Sequence, residues 1–256
     1  MDSPAGGREN AQEFVENRVE GKNPVLETLR SGRTIEKLLV ARGISEGTVG
    51  EIINMAREKG IVIQEVDRQR LDEISDFGIH QGVIAYVTPY HYVEVDEIIL
   101  RAKEKGEDPF LIILDEVTDP HNLGAVIRTA ECCGAHGVII PKRRSAGLTP
   151  AVVKASAGAV EYMPVAKVTN LARLLDELKT HGIWIVGADL EGSPYTRLNL
   201  TGPLALVIGS EGQGIRRLVK EKCDFLAGIP LKGRIESLNA SVAAGILMYE
   251  VVRQRG

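Results

Sequence analysis

The sequence predicts an α/β fold with a parallel sheet, and three observations carry that expectation. Short apolar runs such as 110–114 and 204–208 have the length of buried strands. They alternate with segments of helical period, the pattern of strands joined by crossover helices. The composition agrees: of 256 residues, 44% are hydrophobic but only 4% aromatic, so the core is built on Ile, Leu, Val and Ala.

Residues 1–17 are polar and are expected to form a flexible N-terminus, and MDSPAGGRENAQEF has no apolar signal core. Asn23 as cap and Pro24 at the first helical position open a helix. A strand follows at 35–40, then a helix from Ser45 through Ala56 that stops at Gly60. Residues 61–66 suit a strand, 68–74 a short helix and 83–87 another strand. These make a compact α/β unit over 18–89. Residues 90–108 are strongly charged and closed by Pro109, which suits a linker or a spacer helix. From 109 to 256, strands at 110–115, 137–140, 183–188 and 204–208 alternate with helices at 122–133, 169–180, 215–221 and 238–253. Ligands bind such sheets outside the carboxyl ends of the strands. That singles out loops 115–122 and 209–214, with 229–237 as a third candidate.

No apolar run reaches membrane-spanning length. Cys132, Cys133 and Cys223 form no C-x-x-C pair and leave an odd number, which fits a reducing, cytoplasmic setting without a disulfide framework or a standard zinc site. The net charge of −4 argues against wholesale nucleic-acid binding. Residues 1–90 are the acidic part, with 11 Lys and Arg against 15 Asp and Glu. The remainder is balanced, and its basic residues cluster in loops: Lys142-Arg143-Arg144, Arg216-Arg217 with Lys220 and Lys222, and Lys232 with Arg234.

Three stretches carry chemistry. Thr118-Asp-Pro-His-Asn122 leaves a strand and opens a helix that also holds Arg128. Asn122 can cap that helix, and Arg128 can reach toward the strand ends. His121 and His136 are acid–base candidates without an evident partner. Gly209-Ser-Glu-Gly212-Gln-Gly214 follows a buried strand. Its order is G-x-x-G-x-G and no Lys-Ser/Thr ends it, so it matches neither the dinucleotide fingerprint nor the phosphate-binding loop. Glu211 would repel phosphate and suits a neutral or cationic ligand or a hydroxyl donor. The third stretch, from Ile229-Pro230 to Ser237-Leu-Asn239-Ala-Ser241, sets dense polar groups at the mouth of an apolar helix. They serve either as caps or as a site at a helix N-terminus.

In this order and spacing, Asn122 with Arg128, Gly209 to Gly212, and Ile229-Pro230 with Ser237, Leu238 and Asn239 resemble the three motifs of the TrmH-type SPOUT RNA ribose 2′-O-methyltransferases. Val19-Glu-Gly-Lys-Asn-Pro-Val-Leu-Glu27 and Gly78-Ile-His-Gln-Gly-Val-Ile-Ala85 resemble the RNA-binding module of the RlmB-type 23S ribosomal RNA guanosine methyltransferases. The resemblance covers about residues 18–254.

It implies a deep trefoil knot, of which periodicity gives no sign and which folds in general almost never contain. It implies S-adenosylmethionine as cofactor, held around Gly209, Gly212, Ile229 and Leu238, with no metal. It implies ribosomal RNA as substrate and a homodimer whose active site is completed across the interface. Arg128 would be the residue nearest the 2′-hydroxyl. Because arginine stays protonated, it would act electrostatically on that oxygen and on phosphate rather than as a base. Asn122, Glu211, Ser237 and Asn239 would position Arg128, ribose and cofactor. On the front module the RNA-binding face would be Lys22, Asn23, Arg30 and Arg33. The competing readings are a transfer RNA ribose methyltransferase, a non-catalytic RNA-binding assembly protein on the same fold, and a nicotinamide enzyme using Asp189. The missing fingerprint weighs against the last, and the presence of Arg128, Glu211, Ser237 and Asn239 against the second.

Overall fold

A computed structural model describes residues 18–76 and 78–256. The expected flexible segment 1–17 lies outside the described residues.

The first unit is a four-stranded mixed sheet in the order β1-β4-β2-β3. Its elements are β1 (Arg18–Glu20), α1 (Lys22–Ser31), β2 (Ile35–Ala41), α2 (Gly47–Glu58), β3 (Val62–Val66), α3 (Arg68–Ile74) and β4 (Val83–Val87). The strand β1, too short for a sequence signal, pairs antiparallel with β4. Asn23 does not cap α1. Gly21 stands at the cap with φ +96°, and its carbonyl takes the first helical bond from Val25 N–H. A residue with a side chain would be strained there. Likewise α2 starts at Gly47, with Glu46 rather than Ser45 at its cap.

The stretch expected as a linker carries α4 (Val95–Glu104). Ile98 and Ile99 are buried on the second sheet beside Leu111 and Ile139, and Ala102 of the same helix is buried too. Gly137 leaves the room: a Cβ there would stand 2.6 Å from Ile98 Cδ1. The helix is thus a layer of the second unit, not a spacer.

That unit is a six-stranded, all-parallel sheet in the order β10-β8-β9-β5-β6-β7. In chain order it comprises β5 (Phe110–Asp115), α5 (Pro120–Cys132), β6 (Gly137–Pro141), α6 (Pro150–Ala155), a 3-10 turn at Ala159–Glu161, β7 (Val165–Val168), α7 (Leu171–Thr180), β8 (Trp184–Pro194), β9 (Leu204–Gly209), α8 (Arg217–Lys220), β10 (Phe225–Gly228) and α9 (Ala240–Arg255). Alternation along β5 divides the core. Phe110, Ile112 and Leu114 face α5, α6 and α9, whereas Leu111 and Ile113 face α4, α7 and α8. Burial on both faces explains why these strands read as continuous apolar runs. Gly124 lets α5 meet α6 closely, since a Cβ there would lie 2.4 Å from Ala155 Cβ.

Two features position the site. First, β10 pairs with β8 in two pieces, Phe225–Leu226 beside 186–187 and Ala227–Gly228 beside 193–194. The intervening residues 188–192 bulge from the sheet. Gly192 permits the crossing, since a Cβ would lie 2.5 Å from the Leu226 carbonyl. Second, α9 returns from the sheet edge to pack on α5, and Gln254 bonds Leu198 O and Leu200 N of the segment leaving β8.

Candidate active site

Three loops meet at the carboxyl ends of β5, β9 and β10. The first is freed for function by its neighbour: Asp119, not Asn122, caps α5, accepting from His121 N–H at 3.0 Å ahead of Pro120. The buried Asn122 side chain then turns inward. Its Nδ2 donates to Glu211 Oε1 at 3.0 Å, and its Oδ1 accepts from Asn239 Nδ2 at 2.9 Å. Asn239 Nδ2 also donates to Glu211 Oε1, which takes a further, longer bond of 3.3 Å from Ala240 N–H. Both amide orientations follow from this network.

Asn239 does two things at once. Its Oδ1 caps α9, accepting from Ser241 N–H at 3.0 Å and Val242 N–H at 3.2 Å. Ser241 Oγ donates to the same oxygen at 2.6 Å. Glu211 therefore sits against the positive end of a 16-residue helix, where a carboxylate is favoured. The choice between capping and a site that the sequence leaves open is resolved by one residue serving both. Asn239→Ala is expected to lose about 1 kcal/mol of stability through the cap and to weaken cofactor binding by releasing Glu211. Thermal denaturation and calorimetric titration with S-adenosylmethionine check it, and no change in either would contradict it.

The glycine loop is closed by reciprocal bonds between Ser210 and Gly214, 3.1 and 2.9 Å. Gly212 and Gly214 take φ of +85° and +65°. Arg216, expected within a basic patch, is structural. It donates to the fully buried Asp115 through N, Nε and NH2 at 2.9, 2.8 and 2.7 Å, and these bonds raise its pKa. It also reaches Glu116, which pairs with Arg144 as well. The glycine loop is thereby tied to the loop that carries Asn122.

Between these loops lies an open cavity of about 480 Å³. Gly209, Gly212, Ile229 and Leu238 all line it, as do Glu211 and Ser237. The bulge of β8 adds Ala188, Asp189, Leu190 and Glu191. Lys220 pairs there with Asp189 at 2.8 Å and Glu191 at 3.1 Å. Sequence reasoning missed this wall because a bulge has no period of its own. The Asp119 cap, by contrast, was signalled by the Asp-Pro pair.

Arg128 does not join the cluster. Six residues beyond Asn122, it lies about 9 Å further along α5 and about 240° round it. It is exposed, with no hydrogen-bond or ion-pair partner among the described residues. Ser237 is exposed on the cavity wall, also without such a partner among the described residues.

The histidines take no part. Buried His136 accepts from Phe110 N–H at Nδ1 and faces Glu107 at Nε2, both 3.0 Å, at the opposite end of the sheet. Its pKa is lowered, chiefly by burial. Exposed His121 is seen bonded only through its backbone among the described residues. Burial raises the thiols of Cys133 and Cys223, to about 11 and about 12.

On the first unit, the expected RNA-facing set is broken up. Arg33 is sequestered against Glu161 with 10% and 2% side-chain exposure. Losing one partner of such a buried pair costs about 3–5 kcal/mol, so Arg33 is structural. Arg30 is held by Glu27 and Glu51. Lys142, Arg143, Lys232 and Arg234 are exposed cations without an ion-pair partner among the described residues.

A family model described as the SpoU rRNA Methylase family matches residues 109–249. Another, described as RNA 2′-O ribose methyltransferase substrate binding, matches residues 18–93. The chain is 56% identical over 237 residues to YacO of Bacillus subtilis, provisionally named a TrmH family tRNA/rRNA methyltransferase, covering 92% of this chain and 94% of that protein. A provisionally named TrmH family tRNA/rRNA methyltransferase of Staphylococcus saprophyticus is 48% identical over 236 residues, 92% of this chain and 94% of the relative. Among solved structures, the SpoU methyltransferase AviRb from Streptomyces viridochromogenes, in complex with AdoMet, superposes with a TM-score of 0.78 at 28% identity, over 93% of this chain and 89% of that one.

Proposed function

The chain belongs to the SpoU rRNA methylase family of RNA methyltransferases, and from that premise we propose that it methylates a ribose 2′-hydroxyl, most specifically that of a guanosine in 23S ribosomal RNA, as the RlmB-type enzymes do. The observation that carries this reading is the Asn122–Glu211–Asn239 cluster at the lip of an apolar cavity. We assign substrate binding to residues 18–89 and methyl transfer to 109–256, with α4 of the connector on the transfer side. The three cysteines stay free, and we place the enzyme in the cytoplasm. No helix among the described residues is long and apolar enough to cross a membrane.

The cavity fits S-adenosylmethionine. Its volume lies within the usual range of about 300–1,000 Å³ for small-molecule sites. Ile229, Leu238 and Leu190 offer apolar walls for an adenine, and Gly209 and Gly212 leave backbone groups open to it. Asp189 and Glu191 are already paired with Lys220, so Glu236 is the carboxylate of this wall that suits the positive charge of a sulfonium or an ammonium. When bound, this cofactor supplies an electrophilic methyl group. What remains for the chain is to hold the ribose oxygen in line and to stabilise charge on it.

A hydroxyl is a weak nucleophile until its proton is withdrawn or its oxygen is placed. Arg128 serves electrostatically, since guanidinium does not release its proton at neutral pH. It binds phosphate and the 2′-oxygen and lowers the cost of the alkoxide that develops as the hydroxyl proton passes to solvent water. Asn122, Glu211 and Asn239 hold the ribose against the cavity mouth, and Ser237 adds a hydroxyl there.

Arg128 reaches this site from a second copy of the chain. Its distance from the cluster of its own protomer supports that. So does its setting: Val242 and Tyr249 form an exposed apolar stripe on α9, half uncovered, beside the exposed face of α5. Gly245 lies next to Thr129, which sets the two exposed faces side by side. A symmetric dimer would cover the stripe and exchange the two arginines.

RNA carrying a 2′-deoxy nucleotide at the target is expected to bind and to accept no methyl group. Transfer from labelled S-adenosylmethionine checks this, and labelling of the deoxy substrate would point to the base. Mapping ribose methylation on RNA from a strain lacking the protein tests the substrate: a site lost from 23S ribosomal RNA supports the reading, and one lost from transfer RNA replaces it.

A further inference from the structure

We propose that Glu161 and Gly158 form a rigid joint that fixes the RNA-binding unit at a set distance and angle from the methyl-transfer cavity, a proposal that rests on the reading of the chain as an RNA methyltransferase. A charged connector suggests a tethered module, free to swing. The contacts between the units say otherwise.

Glu161 ends the 3-10 turn of the second unit, yet the donors to its carboxylate come from the first unit and the connector. Arg33 NH1 donates at 3.1 Å and Tyr90 OH at 2.5 Å to Oε1; Thr28 Oγ1 lies 2.9 Å from the same oxygen and Ser31 Oγ 3.4 Å from Oε2, each sharing its one hydrogen with a carbonyl of its own helix, Pro24 O at 2.8 Å and Thr28 O at 3.0 Å. The carboxylate is 2% exposed. Arg33 is itself held: its guanidinium stacks 3.5 Å over the Tyr90 ring, and its Nε donates to Thr88 O at 2.9 Å. Burial, the largest cause, raises the Tyr90 pKa and keeps its hydroxyl a donor. A buried carboxylate met by this many converging donors has one arrangement that satisfies it.

Gly158 is an independent observation. It takes φ +93°, and a Cβ there would stand 2.6 Å from Glu27 Cβ on α1. The helix therefore lies on the turn with no space to spare. Nearby, Tyr162 OH donates to Glu27 at 2.6 Å. Val25, Leu26 and Leu29 of α1 share one apolar core with Leu123 and Val160 of the second unit. The turn and α6 pack in turn on α5, which carries Asn122 and Arg128. Module, turn and catalytic helix thus form one solid path. A tether would let bound RNA present any ribose within reach, whereas this joint presents the ribose at one fixed offset from the module's contact.

The test compares wild type with Glu161→Ala, Glu161→Gln and Gly158→Val, and with Arg70→Ala as a control whose ion pair with Glu73 stays within the first unit. Probes are S-adenosylmethionine and in vitro transcribed 23S ribosomal RNA, with small-angle X-ray scattering of each free protein. Glu161→Ala and Gly158→Val are expected to expand in scattering and to bind S-adenosylmethionine as wild type does. Their KM for the transcript should rise up to about 100-fold with little change in kcat, and methylation should spread to neighbouring nucleotides. Glu161→Gln, which keeps an acceptor oxygen, should recover part of the loss, and it carries the comparison if the alanine variant does not fold. Arg70→Ala should match wild type. Unchanged KM and a single methylated position in the expanded variants would overturn the proposal. So would a loss of kcat and cofactor binding together, which marks a defect of the fold. If wild type itself transfers nothing to any RNA offered, the enzymatic reading fails first and takes the positioning role with it, whatever scattering reports of the joint.

Discussion

Arg128→Ala is expected to bind S-adenosylmethionine as the wild type does and to lose about 10²–10³-fold in methyl transfer, the range seen when one charge-stabilising donor is removed. The two halves of this expectation have separate grounds. Arg128 is exposed and partnerless among the described residues, so its loss should shift stability by no more than about 0.5 kcal/mol. The cavity walls lie elsewhere on the chain, so cofactor affinity should hold. On the proposed reading, only the transfer step calls on it. Calorimetry and single-turnover assays on the same preparation separate the two, and near-normal turnover would sink the assignment. Subunit mixing tests whether the residue acts across a dimer. Arg128→Ala and Glu211→Ala should each be inactive alone. Mixed after dissociation, they should regain about a quarter of wild-type activity, since half the dimers are hybrids with one intact site of two. No recovery would mean that each protomer uses its own arginine.

Gly209→Ala should do more damage. A Cβ at this position would stand 2.1 Å from Gly214 C and 2.3 Å from Ile215 N, all backbone atoms that cannot rotate away. Relief requires opening the Ser210–Gly214 pair, which moves Glu211 from Asn122 and Asn239. It also strains Arg216 N, bonded to Asp115 at 2.9 Å. Both cofactor binding and transfer should fall below detection. The secondary structure should persist, because β9 ends here and the core beneath is untouched. Circular dichroism alongside calorimetry would show this. An alanine variant with wild-type cofactor affinity would mean that the loop reaches its function by another geometry.

The sequence reached some of this and not the rest, for identifiable reasons. Strands 83–87 and 110–115 were legible to the residue because both faces are buried and turn residues bound them. The four-residue strands β7 and β10 and the six-residue helix α6 are too short for a period to register. That Gly209, Ile229 and Leu238 line one cavity was legible through motif order. The relation of Arg128 to Asn122 was not, because nearness in sequence conceals 240° of rotation about a helix. Arg33 and Arg216 read as surface cations. Their carboxylate partners lie 128 and 101 residues away, and no local pattern encodes such a pairing.

The same long separations govern how the Asn122–Glu211–Asn239 cluster comes into being. Asn122 lies 89 residues from Glu211 and 117 from Asn239, and one hydrogen bond joins each pair. Contacts so distant require large loops to close before any stabilisation returns, which puts them late on the folding route. On the ribosome, a nascent chain that has emerged only as far as β9 holds Asn122 and most of the sheet but neither Asn239 nor the helix it caps. Such a chain exposes the face of α5 that α9 will cover, and an apolar face left open on a half-made sheet is an aggregation risk.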